Sequence, residues 1–423
     1  MTTEMISLAI VVGCIVLFVW RPIPNAVTAC LGCLMFALTG VCTLDKAFSG
    51  FSNSTVLLMF GMMVVGIALM DTGAAKLIGR YVAKISEGRE KRFILLAGTV
   101  SAIMSTFLSN TAVIAIFLPI IASASQTNAS MNRKNMTLPV TMGAMFGGVC
   151  TLVGSTPQLT ANGILEEMTG KSLQMFDFLL PGLCLFAIYM LYVLTIGHRM
   201  GVKVWGNTEA VEASAAETAT EEIVVDKKKM LIMCVIFAIT IVLFIGGWIS
   251  TSMTAVLAAL LCVITGCTTQ KSIIKKMDWS VVFILAGCLG IAAGITSGGL
   301  GDMMSDLMSN IISPDVPALA VFAFFVFATM LISNFITNST AVVITLPIVL
   351  SLCTANGYNP VAFTLGIVYA ANLVYSTPLA NAQTAMTLVA GYKFSDYIKY
   401  TWLLNILVFT GIIIAVPVFF PLV

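Results

Sequence analysis

Two short polar clusters, Ser109-Asn110-Thr111 and Thr337-Asn338-Ser339, interrupt otherwise apolar stretches, and Ser-Thr-Pro occurs at Ser155-Thr156-Pro157 and again at Ser376-Thr377-Pro378. None of these residues is charged, so what they offer is binding. Hydroxyl and amide oxygens, with the carbonyls freed where a helix breaks, suit a hard, weakly charged cation such as sodium. The amide ends of broken helices carry partial positive charge and attract an anion without any arginine. A site neutral in formal charge can thus hold an anion together with cations that offset it, which is a physical basis for coupled transport. A single such motif usually glues helices together; four in matched pairs at helix breaks argue for a site.

Other chemistries lack their parts. No predicted span carries Asp, Glu, Lys, Arg or His at its middle; Asp71, His198 and Asp278 fall at ends, so charged proton relays are not expected. An intramembrane enzyme is disfavoured by the same absence. The single histidine, His198, stands beside Arg199 and is expected to be solvated. Nearly all of the 11 cysteines, Cys14, Cys150, Cys234 and Cys288 among them, lie in apolar runs, where a thiol acts as a small hydrophobe. Cys30 and Cys33 form a lone CxxC without a second pair or a histidine nearby, and read as core.

The elements that position the clusters are membrane helices. The chain of 423 residues is 59% hydrophobic and 9% charged, with a mean hydropathy of +1.02, far below the charge of a soluble domain. A net charge of +2 gives no footing for nucleic acid. Ten spans fit, at about 5–20, 25–43, 54–70, 137–165, 178–197, 231–249, 253–268, 280–297, 361–388 and 401–420. No basic stretch precedes the first, which therefore reads as a span and not a signal peptide. The stretches 93–124 and 317–352 are split by the polar clusters into arms of about 14 to 16 residues, roughly 21 to 24 Å at helical rise, and read as re-entrant hairpins.

Charge segregation agrees with this layout. All of the 21 basic residues except Lys46 and Lys171 fall on one side, which by the positive-inside rule is the cytoplasm. Both termini are then outside, and the segment 198–230, centred on a polar linker at about 201–230, is cytoplasmic. Lys76, Arg80 and Lys84, spaced by four beside Leu77, Ile78, Tyr81 and Ile85, predict an interfacial amphipathic helix, with Asp302 and Asp306 at the equivalent place in the second half.

The chain repeats itself. Residues 105–120, STFLSNTAVIAIFLPI, align without gaps to 333–348, SNFITNSTAVVITLPI. Gly61 and Gly73 fall on Gly287 and Gly299, Trp20 on Trp248, and Ser155-Thr156-Pro157 on Ser376-Thr377-Pro378. Two halves, 1–200 and 231–423, are expected. Five spans per half, an odd number, put the second copy in the membrane upside down relative to the first.

At its Ser-Asn-Thr tip and the variant Thr-Asn-Ser tip, each followed by Leu-Pro-Ile, the sequence resembles the divalent anion:sodium symporter (DASS) family of the wider ion transporter superfamily, over nearly the whole chain. The resemblance implies substrate contacts at Asn110, Thr111, Thr156, Pro157, Asn338, Ser339, Thr377 and Pro378. It implies one sodium site from Ser105, Ser109 and Asn110 with Gly154 and Ser155, and a second from Ser333, Thr337 and Asn338 with Ser376. It further implies a homodimer working as an elevator, with scaffold segments 1–88 and 231–312 and transport segments 93–200 and 317–423. The second tip exchanges Ser and Thr, which changes the pocket shape. The expected function is sodium-coupled import of a small di- or tricarboxylate across the inner (plasma) membrane. Anion exchange, proton coupling, sulfate or arsenite transport, and a non-transporting sensor are the alternatives.

Overall fold

A computed structural model of the chain describes residues 2–86, 88–127, 131–205, 226–301, 303, 306, 316–378 and 381–423. Among these residues the chain is helical, without a strand. The first half holds α1 (Thr3–Trp20), α2 (Asn25–Leu38), α3 (Leu44–Ala47), α4 (Ser54–Asp71), α5 (Ala74–Ile85), α6 (Glu90–Ser105), α7 (Asn110–Thr127), α8 (Arg133–Gly148), α9 (Thr156–Thr169) and α10 (Leu179–Tyr192), which passes through a π turn into α11 (His198–Trp205). The second half holds α12 (Lys227–Gly246), α13 (Thr251–Ile264), α14 (Gln270–Lys276), α15 (Trp279–Ser297), α16 (Ala318–Ser333), α17 (Asn338–Asn356), α18 (Pro360–Asn372), α19 (Ala382–Met386) and α20 (Phe394–Phe419).

The helix starts repeat because their capping residues repeat. Thr43 caps α3 by accepting from the Lys46 N–H, and Thr269 caps α14 by accepting from the Ser272 N–H. Asn53 and Asp278 do the same for α4 and α15, each side-chain oxygen satisfying an N–H that the first turn leaves open.

Seven helices are long and apolar enough to cross a membrane, α10 and α11 counting as one, and five more apolar helices are shorter. The difference from ten unbroken spans has local causes. α2 and α13 are 14 residues each. The stretch 137–165 divides into α8 and α9 around residues 149–155, and 361–388 divides into α18 and α19 around 373–381. Conversely, α7 and α17 start on the tip asparagines and run past 124 and 352 to Thr127 and Asn356, reaching 18 and 19 residues with Pro119 and Pro347 inside them, so the second arm of each hairpin is longer than the sequence pattern suggested.

The duplication is written into the packing. α4 packs on α13, and α15 packs on α2. Gly61 of α4 meets the Ala255 backbone of α13, where an added β-carbon would lie 2.6 Å from the carbonyl oxygen; Gly287 of α15 meets Ala29 of α2, where it would lie 2.6 Å from the Ala29 β-carbon. Small residues let helix backbones approach this closely, which is how membrane helices associate without a hydrophobic driving force between them. Burial repeats as well: the apolar windows of α1 and α12 are each 22% buried, those of α4 and α15 each 61%. The counterparts α1 and α12 are therefore both peripheral, and α4 and α15 both central. Leu8, Val12, Val16 and Val19 on α1, and Leu231, Val235, Ile239 and Val242 on α12, stand exposed on single helix faces, surfaces that lipid covers.

Two polar clusters tie helix ends. The Asp71 carboxylate at the end of α4 accepts from Thr268 and Ser272, each at 2.7 Å, and pairs with Lys276 of α14. His198 is not solvated as expected: its Nε2 lies 3.0 Å from Glu90 at the start of α6, and Glu90 also accepts from the Asn132 N–H and the Asn135 side chain. Packing of α11 against α8 brings histidine and carboxylate together over a hundred residues of sequence. The amphipathic helix expected around Lys76 is α5. The polar linker at 206–225 and Asp302 lie outside the described residues. Cys33 is core, its thiol donating to the Gly287 carbonyl at 3.1 Å.

Gly61→Ala and Gly287→Ala should each lower stability by about 1 to 3 kcal/mol through overpacking. Gly13→Ala, which meets nothing within 4 Å, should not. Thermal unfolding of the purified variants in detergent is the measurement; equal melting temperatures for all three would show that the close approach is not required.

Candidate functional site

The first tip is the turn between α6 and α7. The Ser105 hydroxyl, fully buried, donates to Asn110 Oδ1 at 2.5 Å, fixing the asparagine that opens α7. α8 lies against this pair: a β-carbon on Gly148 would sit 2.1 Å from Asn110 Oδ1, and one on Gly154 would sit 2.1 Å from the Gly148 carbonyl. Only glycine lets the unwound segment 149–155 approach the asparagine so closely. Ser109 is exposed and accepts from the Ala112 N–H at 3.3 Å, while Thr111 is half-buried.

The second tip repeats the first with small changes. Ser333 donates to Asn338 Oδ1 at 3.3 Å and to the Ala371 carbonyl at 2.8 Å. Thr337 caps α17 through the Thr340 N–H and shares a 2.6 Å hydroxyl contact with Thr340. Asn338 is buried and Ser339 half-buried.

The unwound segments are held by side chains that stand in for missing helical bonds. In the first half Thr151 donates to the Thr106 carbonyl at the tip, at 2.5 Å. Gln158 donates to the carbonyls of Gly148 and Thr151 at 2.7 and 3.1 Å. In the second half Thr377 donates to the Asn334 carbonyl at its tip, at 2.8 Å. Asn381 donates to Val374 O at 2.8 Å, and Thr384 to Thr377 O at 3.1 Å. Ser155 precedes α9 and Asn381 precedes α19. By position and bonding, Thr151 is therefore the counterpart of Thr377, and Ser155 of Asn381. The two Ser-Thr-Pro triplets are out of structural register: Pro157 sits in the first turn of α9, where proline is favourable, whereas Pro378 lies in the unwound segment.

Beside the breaks the two halves meet at a polar knot. Asn372, the last residue of α18, accepts from Ser155 at 2.9 Å and donates to Gln158 at 3.3 Å; Ser155 also bonds Gln158. α9 packs on α17 and α19 packs on α7, so each post-break helix neighbours the hairpin of the other half. Ser155 thus reaches the opposite half, and Thr156 and Pro157 lie beside it. Ser376 bonds Thr401 at 3.0 Å and Asn405, both on α20. Buried oxygens of Asn334, Tyr375 and Gln383 have no hydrogen-bond partner among the described residues, and all three belong to the second tip and the segment beside it.

Sequence reasoning found both tips and both breaks but missed Thr151, Gln158, Asn372, Asn381 and Thr384. A constant offset of 226 pairs Thr151 with Thr377 and Ser155 with Asn381, but matching identical triplets hides it. No group of three or more metal-binding His, Cys, Asp or Glu side chains occurs among the described residues. The arrangement can grip a small anion at helix N-termini and cations at hydroxyl, amide and carbonyl oxygens.

The family model described as "Citrate transporter" matches residues 15–338 and 319–423. An uncharacterized transporter of Haemophilus influenzae is 25% identical over 95% of this chain and 88% of its own length. The sodium-dependent dicarboxylate transporter SdcS of Staphylococcus aureus is 23% identical over 88% of this chain and 78% of its own. An uncharacterized transporter of Synechocystis is 31% identical over 45% of this chain, and the match spans 31% of that longer protein. Among solved structures, the YdaH transporter of Alcanivorax borkumensis superposes with a TM-score of 0.67 at 13% identity, covering 91% of this chain and 87% of that one. MtrF of Neisseria gonorrhoeae gives 0.62 at 12% identity, covering 90% and 84%. The fold is that of membrane transporters.

Thr151→Val and Thr377→Val keep side-chain size but leave a tip carbonyl unpaired, at about 1 to 3 kcal/mol each. Both should lower the melting temperature by similar amounts; a large drop for only one threonine would break the proposed equivalence of the two segments.

Proposed function

Because the chain belongs to the citrate transporter family, a member of the ion transporter superfamily, we propose that it is a secondary active transporter that imports a small di- or tricarboxylate with sodium by alternating access. The observation that carries this reading is the repeated Ser-to-Asn contact, Ser105 with Asn110 and Ser333 with Asn338, each beside an unwound segment. Substrate carboxylates are assigned to Asn110, Thr111, Asn338 and Ser339, with Thr156-Pro157 and Thr377-Pro378 as lining. One sodium ion is assigned to Ser105, Ser109, Asn110, Gly154 and Ser155, the other to Ser333, Thr337, Asn338 and Ser376. The unpaired oxygens of Asn334, Tyr375 and Gln383 support a cation on the second side, since free acceptors are what a cation needs. The sodium dependence of SdcS supports the choice of ion.

The membrane layout belongs to the same reading: ten spans, α6–α7 and α16–α17 as re-entrant hairpins, halves inverted, and both termini outside the plasma membrane. Reciprocal packing of α4 with α13 and α15 with α2 supports a scaffold of 1–88 and 231–312. The hairpins, α8–α11 and α18–α20 form the moving part. Contacts such as Asn162 of α9 to Thr55 of α4, at 3.2 Å, then lie on a surface that must slide in an elevator. A homodimer is assigned to bury the scaffold.

Labelled succinate and citrate uptake into proteoliposomes, with and without an inward sodium gradient, tests the function. Asn110→Ala and Asn338→Ala should each cut uptake per folded protein about tenfold or more, the loss of one hydrogen bond to a charged group being about 1.5 to 3 kcal/mol, and Asn110→Ala should also lower the melting temperature because it leaves the buried Ser105 hydroxyl unpaired. Ser105→Ala should raise the sodium concentration for half-maximal uptake more than it changes substrate preference. Uptake that requires internal anion and ignores sodium would make the protein an exchanger.

A further inference from the structure

α1 ends on a residue in left-handed backbone, Arg21, with φ 55 and ψ 42, whose N–H donates to Leu17 O at 2.9 Å. Its counterpart α12 ends the same way on Gly247, with φ 62 and the N–H on Leu243 O at 3.1 Å. Both residues of the first cap stand 226 before those of the second, the offset that also relates Ala29 to Ala255 and Gly61 to Gly287. Glycine adopts this conformation freely, and an L side chain does not. Every other positive-φ residue among those described is glycine. At one of two equivalent helix ends, then, an arginine stands against the backbone preference that its twin obeys, and such outliers point to function when their surroundings give them one.

The surroundings do. Pro22 and Pro24 stiffen the link to α2, and beside it opens a cleft of about 520 Å³. Ser280 and Ile284 of α15 line it, together with Thr337 at the second tip. The remaining lining residues are uncharged, so the guanidinium is the one formal charge on this wall. The cleft is shallow and wide-mouthed and Arg21 is exposed in it, so the guanidinium attracts anions over about a Debye length and salt screens it. An arginine that merely anchored α1 at the membrane surface would need neither the strained cap nor a place beside the tip.

We propose that this cleft is an anion vestibule in which Arg21 holds a small carboxylate or similar oxyanion near the Thr337 tip on the side of the membrane that carries the basic residues, the side on which an importer releases it and from which reverse transport starts. Its role in transport rests on the function proposed above; its electrostatics do not. Arg21 is a positioning residue, because the tip and not the guanidinium holds the anion during the crossing.

The test is a local probe of charge that needs no transport. Ser280→Cys is placed in a background with the exposed Cys184 and Cys234 replaced by serine, and its reaction rates with sulfonate-bearing and trimethylammonium-bearing methanethiosulfonates are compared. The sulfonate reagent should be favoured, and the preference should fall about three- to tenfold in Arg21→Gln and Arg21→Gly but persist in Arg21→Lys. If Ser280→Cys fails to fold, Ala26→Cys on the opposite wall serves. A rate ratio that is the same with and without the Arg21 charge overturns the vestibule, whatever transport does. In vesicles, Arg21→Gln should raise KM for the anion from the basic side only, at unchanged kcat, with the difference vanishing at high salt. A KM that is unchanged, or changed equally from both sides or at all salt concentrations, also counts against it. Wild-type vesicles that move no carboxylate would defeat the transport reading and leave the thiol ratio to decide the vestibule.

Discussion

A helix broken inside a membrane exposes backbone amides and carbonyls where no water can reach them, and the rest of this structure depends on how those groups are satisfied. The segments at 149–155 and 373–381 would otherwise be among the least stable in the chain. Gln158 and Thr151 support the first, Asn381, Thr384 and Thr377 the second, and a hydroxyl in each reaches a carbonyl at the neighbouring hairpin tip. Each break is thereby bonded to the tip it serves. Loop and tip form one unit, so that whatever binds at the tip asparagine also acts on the unwound backbone.

The internal duplication makes this economical. One set of packing rules, glycine against alanine between α4 and α13 and between α15 and α2, builds the framework twice. Departures from the symmetry then stand out as the places where the halves do different jobs. Ser105 holds Asn110 with a short bond and Ser333 divides its hydroxyl between Asn338 and Ala371. The unpaired oxygens of Asn334, Tyr375 and Gln383 lie at and beside the second tip, and the left-handed cap is arginine in the first half and glycine in the second.

The two breaks are joined through Asn372 and its bonds to Ser155 and Gln158, with α9 against α17 and α19 against α7. A polar contact buried among helices is strongly favoured over leaving its members unpaired. It fixes the two breaks relative to one another, which any binding site shared between them requires.

By itself the sequence determined the membrane class, the duplication, the two tips and the approximate location of both breaks. Those features rest on composition, on hydropathy over windows of about 20 residues, and on short motifs, all properties of contiguous chain. It misjudged the length of the second arm of each hairpin, because α7 and α17 begin on the tip asparagines themselves and run past the apolar stretch to Thr127 and Asn356: helical hydrogen bonding does not stop where hydropathy does. His198 was misread for a different reason: the Glu90 that pairs with it is distant in sequence and brought near by α11 packing on α8. Only the tertiary structure decided that Thr151 and not Thr156 plays the part of Thr377, that Asn372 joins the halves, and that Arg21 shares a cleft with Thr337. The physical reason is the same in each case: a hydrogen bond or an electrostatic field is set by distance in space, and helices packed across two halves make neighbours of residues that no local pattern relates.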